Sequence, residues 1–513
     1  MKKKYDILIC FIFVIILGLN TFPHLSNRLL TYDEADYAVA ASKGIISNYL
    51  DKSSASFFPF VKQGLTGFLF GKQAEISKEI RDKKDVFFYR HFDPPFIVYV
   101  ARIFTIIGGE REFSFRLGPT LFVLFLIPLV YFLLLFLFPQ YGRLPSILSS
   151  FFISISPVLK QVGILLCSYS IYTFFAMASL FSIVAFLKSG KKIFLYSTGV
   201  VIGLGFLTHE YTWVIVSTFL LSSIILDKKY LRIDKKGFYL SWQVFLSFII
   251  AFGVFFILYP AGIIKLGILK EYMFHIYSAL TKEEAWKSGN TLSTFLSLLS
   301  NFPVDTIIIL FAFLTGLYLL LKRSIEVNLS PFFIYTGIFL IIYSLRAPTG
   351  TVYFSSVYPP LYLIASVVFA HFYKKIKLKR IAVPSLTTLL FILLLSNFIY
   401  LRKPVIGINF VKPAIKYLKD NASKKDKILV SFGYMPTISY YLPELNVDMV
   451  HLSDTPKYLT EKLENEFTFF VFVGKEDSLI NTALNPVLQN KFTVAQKYTS
   501  DKNDVIIFKN TNK

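Results

Sequence analysis

Cysteine is nearly absent: Cys10 and Cys167 are the only two in 513 residues, and each lies in or beside an apolar stretch. Neither belongs to a Cys-x-x-Cys pair or a Cys/His spacing, so no disulfide framework or zinc site is implied. Charge is scarce too. Charged residues make up 17% of the chain, against roughly 25% in an average soluble domain. Acidic residues are the rarer sign, with 32 Asp and Glu against 54 Lys and Arg. There is no internal repeat of fixed period and no low-complexity linker, which excludes solenoid and linker-joined architectures.

Apolar side chains fill the space that charge leaves. Hydrophobic residues account for 54% of the chain and aromatics for 18%, with a mean hydropathy of +0.57. They come in long blocks, and a block of about 18 residues or more spans a hydrocarbon core of roughly 30 Å. The chain therefore reads as a membrane protein. The formal net charge of +22 would suit a phosphate-rich partner such as a nucleic acid. Its distribution excludes that reading, because the basic residues form short runs between apolar blocks. They are Lys2-Lys3-Lys4, Lys188 with Lys191-Lys192, Lys228-Lys229 with Arg232 and Lys235-Lys236, Lys322-Arg323, and Lys374-Lys375 through Arg380. Such runs set topology by the positive-inside rule.

The N-terminal lysines and the apolar run from Ile7 look like a secretory signal. The run ends in Gly18-Leu19-Asn20-Thr21-Phe22-Pro23 without a small-x-small cleavage pattern, so it is expected to stay as a first helix. Threading on from a cytoplasmic N-terminus, all the basic runs fall on one side when about eleven spans are drawn. The expected fold class is an α-helical polytopic membrane protein of the plasma membrane. It has a large first extracytoplasmic loop at 23–117, a second external loop at 261–300, and a small extracytoplasmic α/β domain at 401–513 after a transmembrane region at 1–400. The last assignment rests on strand-length apolar runs at 427–431, 467–473 and 505–508, with helical patterns at 412–420 and 456–465. A third span broken at Pro157 is expected, as is an interfacial helix from Phe96 to Ile107 lying on the outer surface.

Acids gather where the first span ends, in Thr31-Tyr32-Asp33-Glu34-Ala35-Asp36-Tyr37. On a helix, Asp33, Asp36 and Tyr37 share a face, well placed to meet a lipid headgroup. A structural reading competes. Thr31-x-x-Glu34 fits a capping box, with Asp33 complementing the helix dipole. Further on, Tyr89-Arg90-His91-Phe92-Asp93-Pro94-Pro95-Phe96 places two prolines at the start of the surface helix.

The order of these features resembles the GT-C glycosyltransferases, in the branch of protein O-mannosyltransferases and the lipid A aminoarabinose transferase. The shared features are an Asp-Glu pair after the first span, a Pro-Pro motif opening a surface helix, and Arg116-Leu117 leading into the second span. The resemblance is best over 1–220 and continues through Arg346, Tyr353 and Tyr358-Pro359-Pro360. It implies inverting transfer of a sugar from a polyprenyl-phosphate donor to a lipid, glycan or protein acceptor at the outer face, with membrane lipids around it. The resemblance implies that Asp33 is the catalytic base or the residue that orients the acceptor, with Glu34 its supporting neighbour, since an attacking hydroxyl must lose a proton as the glycosidic bond forms. The leaving phosphate needs cationic partners, for which Arg346, Lys265, Lys270, Arg90 and Arg116 are the candidates. For Arg346 the alternative is an interface anchor, and for Lys265 and Lys270 a solvated face. His209-Glu210, at the outer end of the fifth span, with Asp93, His91 and Tyr353, are candidates to line the site. A structural hydrogen-bonded pair is the alternative for His209-Glu210.

The residues before the prolines are Phe92-Asp93, where the aminoarabinose branch has Glu-Lys. His91 stands two positions earlier than the histidine of the mannosyltransferase branch. The resemblance therefore carries neither the sugar nor the acceptor. The acids are able to bind a divalent cation, but no ligand set demands one. The rival readings are a transporter or lipid flippase, which would place paired charges near mid-membrane between similar halves, and a non-catalytic membrane scaffold.

Overall fold

The computed structural model describes residues 2–44, 95–226, 231–234, 237–259, 303–325, 329–345, 354–375, 409–431, 433–450, 465–475, 485–500 and 503–511, with isolated positions at 299, 384, 388, 392, 395, 460, 461 and 463. Arg90, His91, Asp93, Lys265, Lys270, Arg346 and Tyr353 lie outside them.

The chain opens with α1 (Lys2–Thr21) and a short helix, α2 (Tyr32–Lys43). These are followed by α3 (Phe96–Gly108), α4 (Glu112–Leu137), α5 (Leu144–Ser154), α6 (Pro157–Gly163), α7 (Ser168–Ser189), α8 (Lys192–Phe206) and α9 (Thr212–Leu226). Strands β1 (Leu231–Asp234) and β2 (Gly237–Leu240) form an antiparallel hairpin where the sequence suggested only a basic loop. Then come α10 (Trp242–Leu258), α11 (Pro303–Leu321), α12 (Ser330–Leu345) and α13 (Tyr358–Lys375).

Lys4–His24, Glu112–Leu137 and Ser168–Ser189 are each long and apolar enough to cross a membrane, and several other apolar helices are shorter. The expected break at Pro157 is present: α5 and α6 meet at 58°. Proline at the first position of α6 removes a donor that a continuous helix would need, and the Ser156 side chain caps the new start by accepting from Leu159 N. α4 tolerates Pro119 and Pro128 in its interior, as spans packed among other helices do. Large apolar side chains such as Phe125, Trp213, Phe252 and Phe311 stand exposed on these helices, a surface suited to lipid. The protein is thus a polytopic helical membrane protein. The expected eleven spans include segments outside the described residues.

The bundle has two chemically distinct ends. At one, Arg143 pairs with Asp6 at 2.6 Å and Lys188 caps the Leu137 carbonyl. At the other lie the C-terminus of α1, the N-termini of α4 and α7, and helix α2. There α2 is packed through Ala35, Ala38, Ala40 and Ala41 into one apolar cluster with Ile97, Val98 and Ala101 of α3. Such small side chains let helices approach closely. At Gly118 an added Cβ would run into Val100 and Phe104 of α3, which fixes how near α3 lies to the α4 residues around Arg116. On the opposite side, Ile103, Ile106 and Ile107 of α3 are exposed.

The C-terminal part is a five-stranded mixed sheet in the order β4 (Asn446–Met449), β3 (Lys427–Val430), β5 (Phe469–Gly474), β7 (Asp504–Asn510), β6 (Phe492–Thr499). β3 runs parallel to both its neighbours, whereas β7 is antiparallel to β5 and β6. Helices α14 (Lys412–Asn421), α15 (Met435–Tyr441) and α16 (Asn485–Lys491) complete it.

Candidate active site

Glu34 is the hub of the end of the bundle that carries α2. Its side chain is 2% exposed. Oε1 accepts from Arg28 Nη2 (2.8 Å), Arg116 Nε (2.8 Å) and Leu166 N (2.9 Å). Oε2 accepts from Arg28 Nη1 (2.9 Å), Arg116 Nη2 (3.1 Å), Thr31 N (3.0 Å) and Thr31 Oγ1 (3.0 Å). The bond from Thr31 N is the reciprocal half of a capping box, with Thr31 preceding the helix in extended conformation. Burial pushes the Glu34 carboxyl up, but Arg116 and Arg28 outweigh it and hold the group well below the usual carboxylate range. Glu34 is therefore an ionised acceptor with both oxygens occupied.

Arg116 is wholly buried, and all five of its N–H donors are engaged. Besides Glu34 they reach the carbonyls of Leu25 (2.7 Å), Arg28 (3.0 Å) and Leu29 (3.0 Å). The sequence pointed to Arg116 as a phosphate ligand. The geometry corrects that: no donor is left to offer, and the side chain instead holds the 25–29 turn against the Glu34 carboxylate. Glu34, expected as a catalytic neighbour of Asp33, is bonded to Thr31, Arg28 and Arg116. It anchors the first turn of α2, from which Asp33 projects.

Asp33 itself is exposed, and the residues beside it in the helix are buried from Glu34 to Ala41. Asp36 and Tyr37, expected to share its face, are 1% and 6% exposed. One turn thus carries an inward acid neutralised by two arginines and an outward acid at the helix N-terminus.

Sequence reasoning named Arg116 but missed two further buried cations, Arg28 and Lys160. Arg28 is 4% exposed, and one of its N–H groups also binds the Ile164 carbonyl at 2.9 Å. Among the described residues its Nε has no hydrogen-bond partner. His24 lies within electrostatic reach of both Lys160 and Arg28, and Lys160 is 4% exposed on α6. The signal that marks Lys160 is a lysine inside an interrupted apolar helix, where charge is costly and usually functional. Arg28 was visible as the basic residue just ahead of the acids.

His209 and Glu210 do form a pair, with His209 Nδ1 3.2 Å from Glu210 Oε2. The imidazole stacks on Tyr211 at 4.2 Å and lies against Tyr169 and Tyr172. The same Nδ1 lies 3.2 Å from Tyr211 N, from which it accepts only when unprotonated, and in that state it offers no proton to Glu210. Tyr172 in turn donates to the Tyr211 carbonyl. A further buried acid, Asp305 in the first turn of α11, accepts from the Tyr362 hydroxyl at 2.6 Å. That hydroxyl lies 2.9 Å from Ser156 Oγ at the α5–α6 break. Among the described residues no three of His, Cys, Asp and Glu gather where a metal ion would be held.

The fold recurs in known proteins. Residues 93–255 match the family model described as dolichyl-phosphate-mannose-protein mannosyltransferase. The whole chain is similar in fold to ArnT from Cupriavidus metallidurans in the apo state, at 12% identity and a TM-score of 0.63, covering 99% of this chain and 98% of that one. The ArnT structure bound to undecaprenyl phosphate is matched at 13% identity, TM-score 0.59 and the same coverage. The archaeal oligosaccharyltransferase AglB from Archaeoglobus fulgidus, in complex with an inhibitory peptide and a dolichol-phosphate, is matched at 15% identity and TM-score 0.61, over 98% of this chain and 74% of that one. Among curated proteins none matches in sequence. The chain has the GT-C glycosyltransferase fold.

Proposed function

We propose that this membrane protein, built on the GT-C glycosyltransferase fold, moves a sugar from a polyprenyl-phosphate donor to a hydroxyl-bearing acceptor at the outer face of the membrane. The observation that carries the reading is the split between neighbouring acids: Glu34 locked inward by Arg28 and Arg116, Asp33 facing outward from the same turn. A general base must be held in place yet reachable. Locking its neighbour fixes the turn from which Asp33, which is exposed, projects.

The orientation follows from charge. The positive-inside rule supports a cytoplasmic position for the end of the bundle with Arg143, Lys188 and the N-terminal lysines, and with it an outer-face position for Asp33. In the transfer, Asp33 takes the proton of the attacking hydroxyl while the anomeric carbon–phosphate oxygen bond breaks with inversion. The leaving polyprenyl phosphate gathers negative charge. Lys160 supplies a nearby positive charge, and Arg28 Nε is a buried donor with no hydrogen-bond partner among the described residues. Arg346, Lys265, Lys270 and Arg90 remain proposed phosphate partners, and His209, Glu210, His91, Asp93 and Tyr353 proposed lining residues. The similar ArnT and AglB structures hold undecaprenyl phosphate and dolichol-phosphate, which supports a lipid-phosphate donor here.

The test is transfer itself. Purified protein in lipid nanodiscs is given undecaprenyl-phosphate sugars labelled in the sugar, with membrane extract as acceptor source. Sugar transfer with stoichiometric release of undecaprenyl phosphate supports the reading. Movement of the lipid across the bilayer with no glycosidic bond made points to a flippase instead.

A further inference from the structure

Between α1 and α2 the chain crosses Leu25–Thr31 without regular secondary structure beyond its first residues, yet most of it is buried: Leu25, Leu29 and Leu30 are at most 5% exposed and Arg28 is 4%. Buried backbone groups outside helices and sheets need other partners. Arg116 takes three of the carbonyls from within the bundle. Two more, those of Asn27 and Leu30, are taken by the C-terminal part of the chain. Asn409 accepts from Leu29 N at 2.9 Å and donates to the Asn27 carbonyl at 2.9 Å. Thr437 Oγ1 donates to the Leu30 carbonyl at 3.0 Å. Tyr441 Oη accepts from Leu30 N at 3.1 Å and donates to Glu112 Oε1 at 2.7 Å.

Tyr441 is the most telling of the three. Its single hydroxyl joins the segment leading into the acids to the first turn of α4, one helical turn ahead of Arg116. Burial and the Glu112 carboxylate push its ionisation up, so the hydroxyl keeps the proton it donates. Beside it Tyr440 packs edge-on against Phe115 at 5.9 Å and against Tyr441 at 5.0 Å. Helix α15, which carries Thr437 and Tyr441, lies directly along α2.

We infer that the C-terminal α/β part positions the catalytic acid: Asn409, Thr437 and Tyr441 are positioning residues that complete the backbone bonding of Asn27–Leu30 and so set where Arg28, Glu34 and Asp33 stand. The inference rests on Asp33 being the base, but its structural half is tested without activity. A role limited to shielding the site or presenting the acceptor would not need five side-chain hydrogen bonds converging on this stretch of backbone and on Glu112.

The experiment uses the full chain in nanodiscs. In Tyr441→Phe and Asn409→Ala, amide hydrogen exchange over residues 27–34 is expected to rise about tenfold, the scale of one lost hydrogen bond of ordinary strength. Exchange at Ile428–Val430 in the sheet should stay as in the parent. Unchanged exchange at 27–34 in both variants overturns the inference, and so does a uniform rise that includes the sheet. In turnover of an undecaprenyl-phosphate hexose, kcat should fall about tenfold with KM for the lipid donor within about twofold. Thr437→Ser should keep the parent rate and Thr437→Val should not. A raised KM with unchanged kcat contradicts positioning. Failure of the catalytic reading looks different: Asp33→Asn would keep full turnover whatever the exchange shows.

Discussion

Arg116 Nε stands 2.8 Å from Oε1 of Glu34, and this contact joins residues 82 positions apart into the hinge of the candidate site. Both side chains are out of solvent, so Arg116 depends on Glu34 for its counter-charge, as does the buried Arg28. A buried pair of this kind adds little net stability over an apolar substitute, but losing one partner leaves an uncompensated charge. The expected consequences separate Glu34 from Asp33. Glu34→Gln should lower stability by about 3–5 kcal/mol, read as reduced abundance and a lower thermal midpoint, because two buried arginines lose their anion. An unchanged midpoint would mean the pair relaxes into water.

Arg116→Lys keeps the charge but cuts the donors from five to three. The Leu25, Arg28 and Leu29 carbonyls cannot all be served, so the variant should behave like a deletion of the side chain, with a loss of about 2–4 kcal/mol. Near-parental stability in a thermal melt would show that charge alone holds the turn.

The pH dependence of the Glu34 contribution follows from its depressed pKa. A carboxyl ionising below its unfolded value of about 4.3 stabilises the fold fully above that value. The contribution fades as pH falls through the folded pKa, which Arg116 and Arg28 keep low. The gap in thermal midpoint between the parent and Glu34→Gln should therefore hold from about pH 8 to pH 5 and close only below about pH 4. A gap that closes near neutrality would contradict the assignment.

Tyr362→Phe removes the donor 2.6 Å from the Asp305 carboxylate and leaves a buried acid short of a partner. The expected cost is about 1–3 kcal/mol. Combining it with Asp305→Asn should cost clearly less than the sum of the two single changes, since the two groups form one unit. Additive losses in that double-mutant cycle would show the contact to be incidental.

Lys160→Met retains length and apolar bulk while removing the cation on α6. If Lys160 serves the leaving phosphate, affinity for undecaprenyl phosphate should fall about tenfold, the weight of one charge-assisted contact, with the thermal midpoint held or raised. Undiminished binding would move the phosphate to other cations.

Much of this was legible from composition and order. Apolar blocks marked the spans, Pro157 marked the break between α5 and α6, and Pro94-Pro95 marked the start of α3. The Thr31-x-x-Glu34 spacing announced the capping box that the structure contains. α4 begins earlier than its apolar run suggests, at Glu112 rather than near Leu117, because Arg116 is neutralised inside and so does not end the helix. The partners of Glu34 were not legible: Arg28, Arg116 and the Leu166 amide converge from three parts of the chain, and no local pattern encodes that. Nor does periodicity betray β4, β6 or α15. These elements are short and partly polar, and they owe their conformation to the sheet and to α2. Asn409, Thr437 and Tyr441 look like ordinary surface residues until the fold brings them to Leu29 and Leu30.

The central claim is that Asp33, held outward by its locked neighbour, removes the acceptor's proton. Asp33→Asn keeps the size and the helix start but has no basic oxygen. In nanodiscs supplied with the labelled undecaprenyl-phosphate sugar and acceptor, this variant should release undecaprenyl phosphate at least about a hundredfold more slowly than the parent, at equal abundance and with the same affinity for undecaprenyl phosphate. Release at the parental rate would contradict the account.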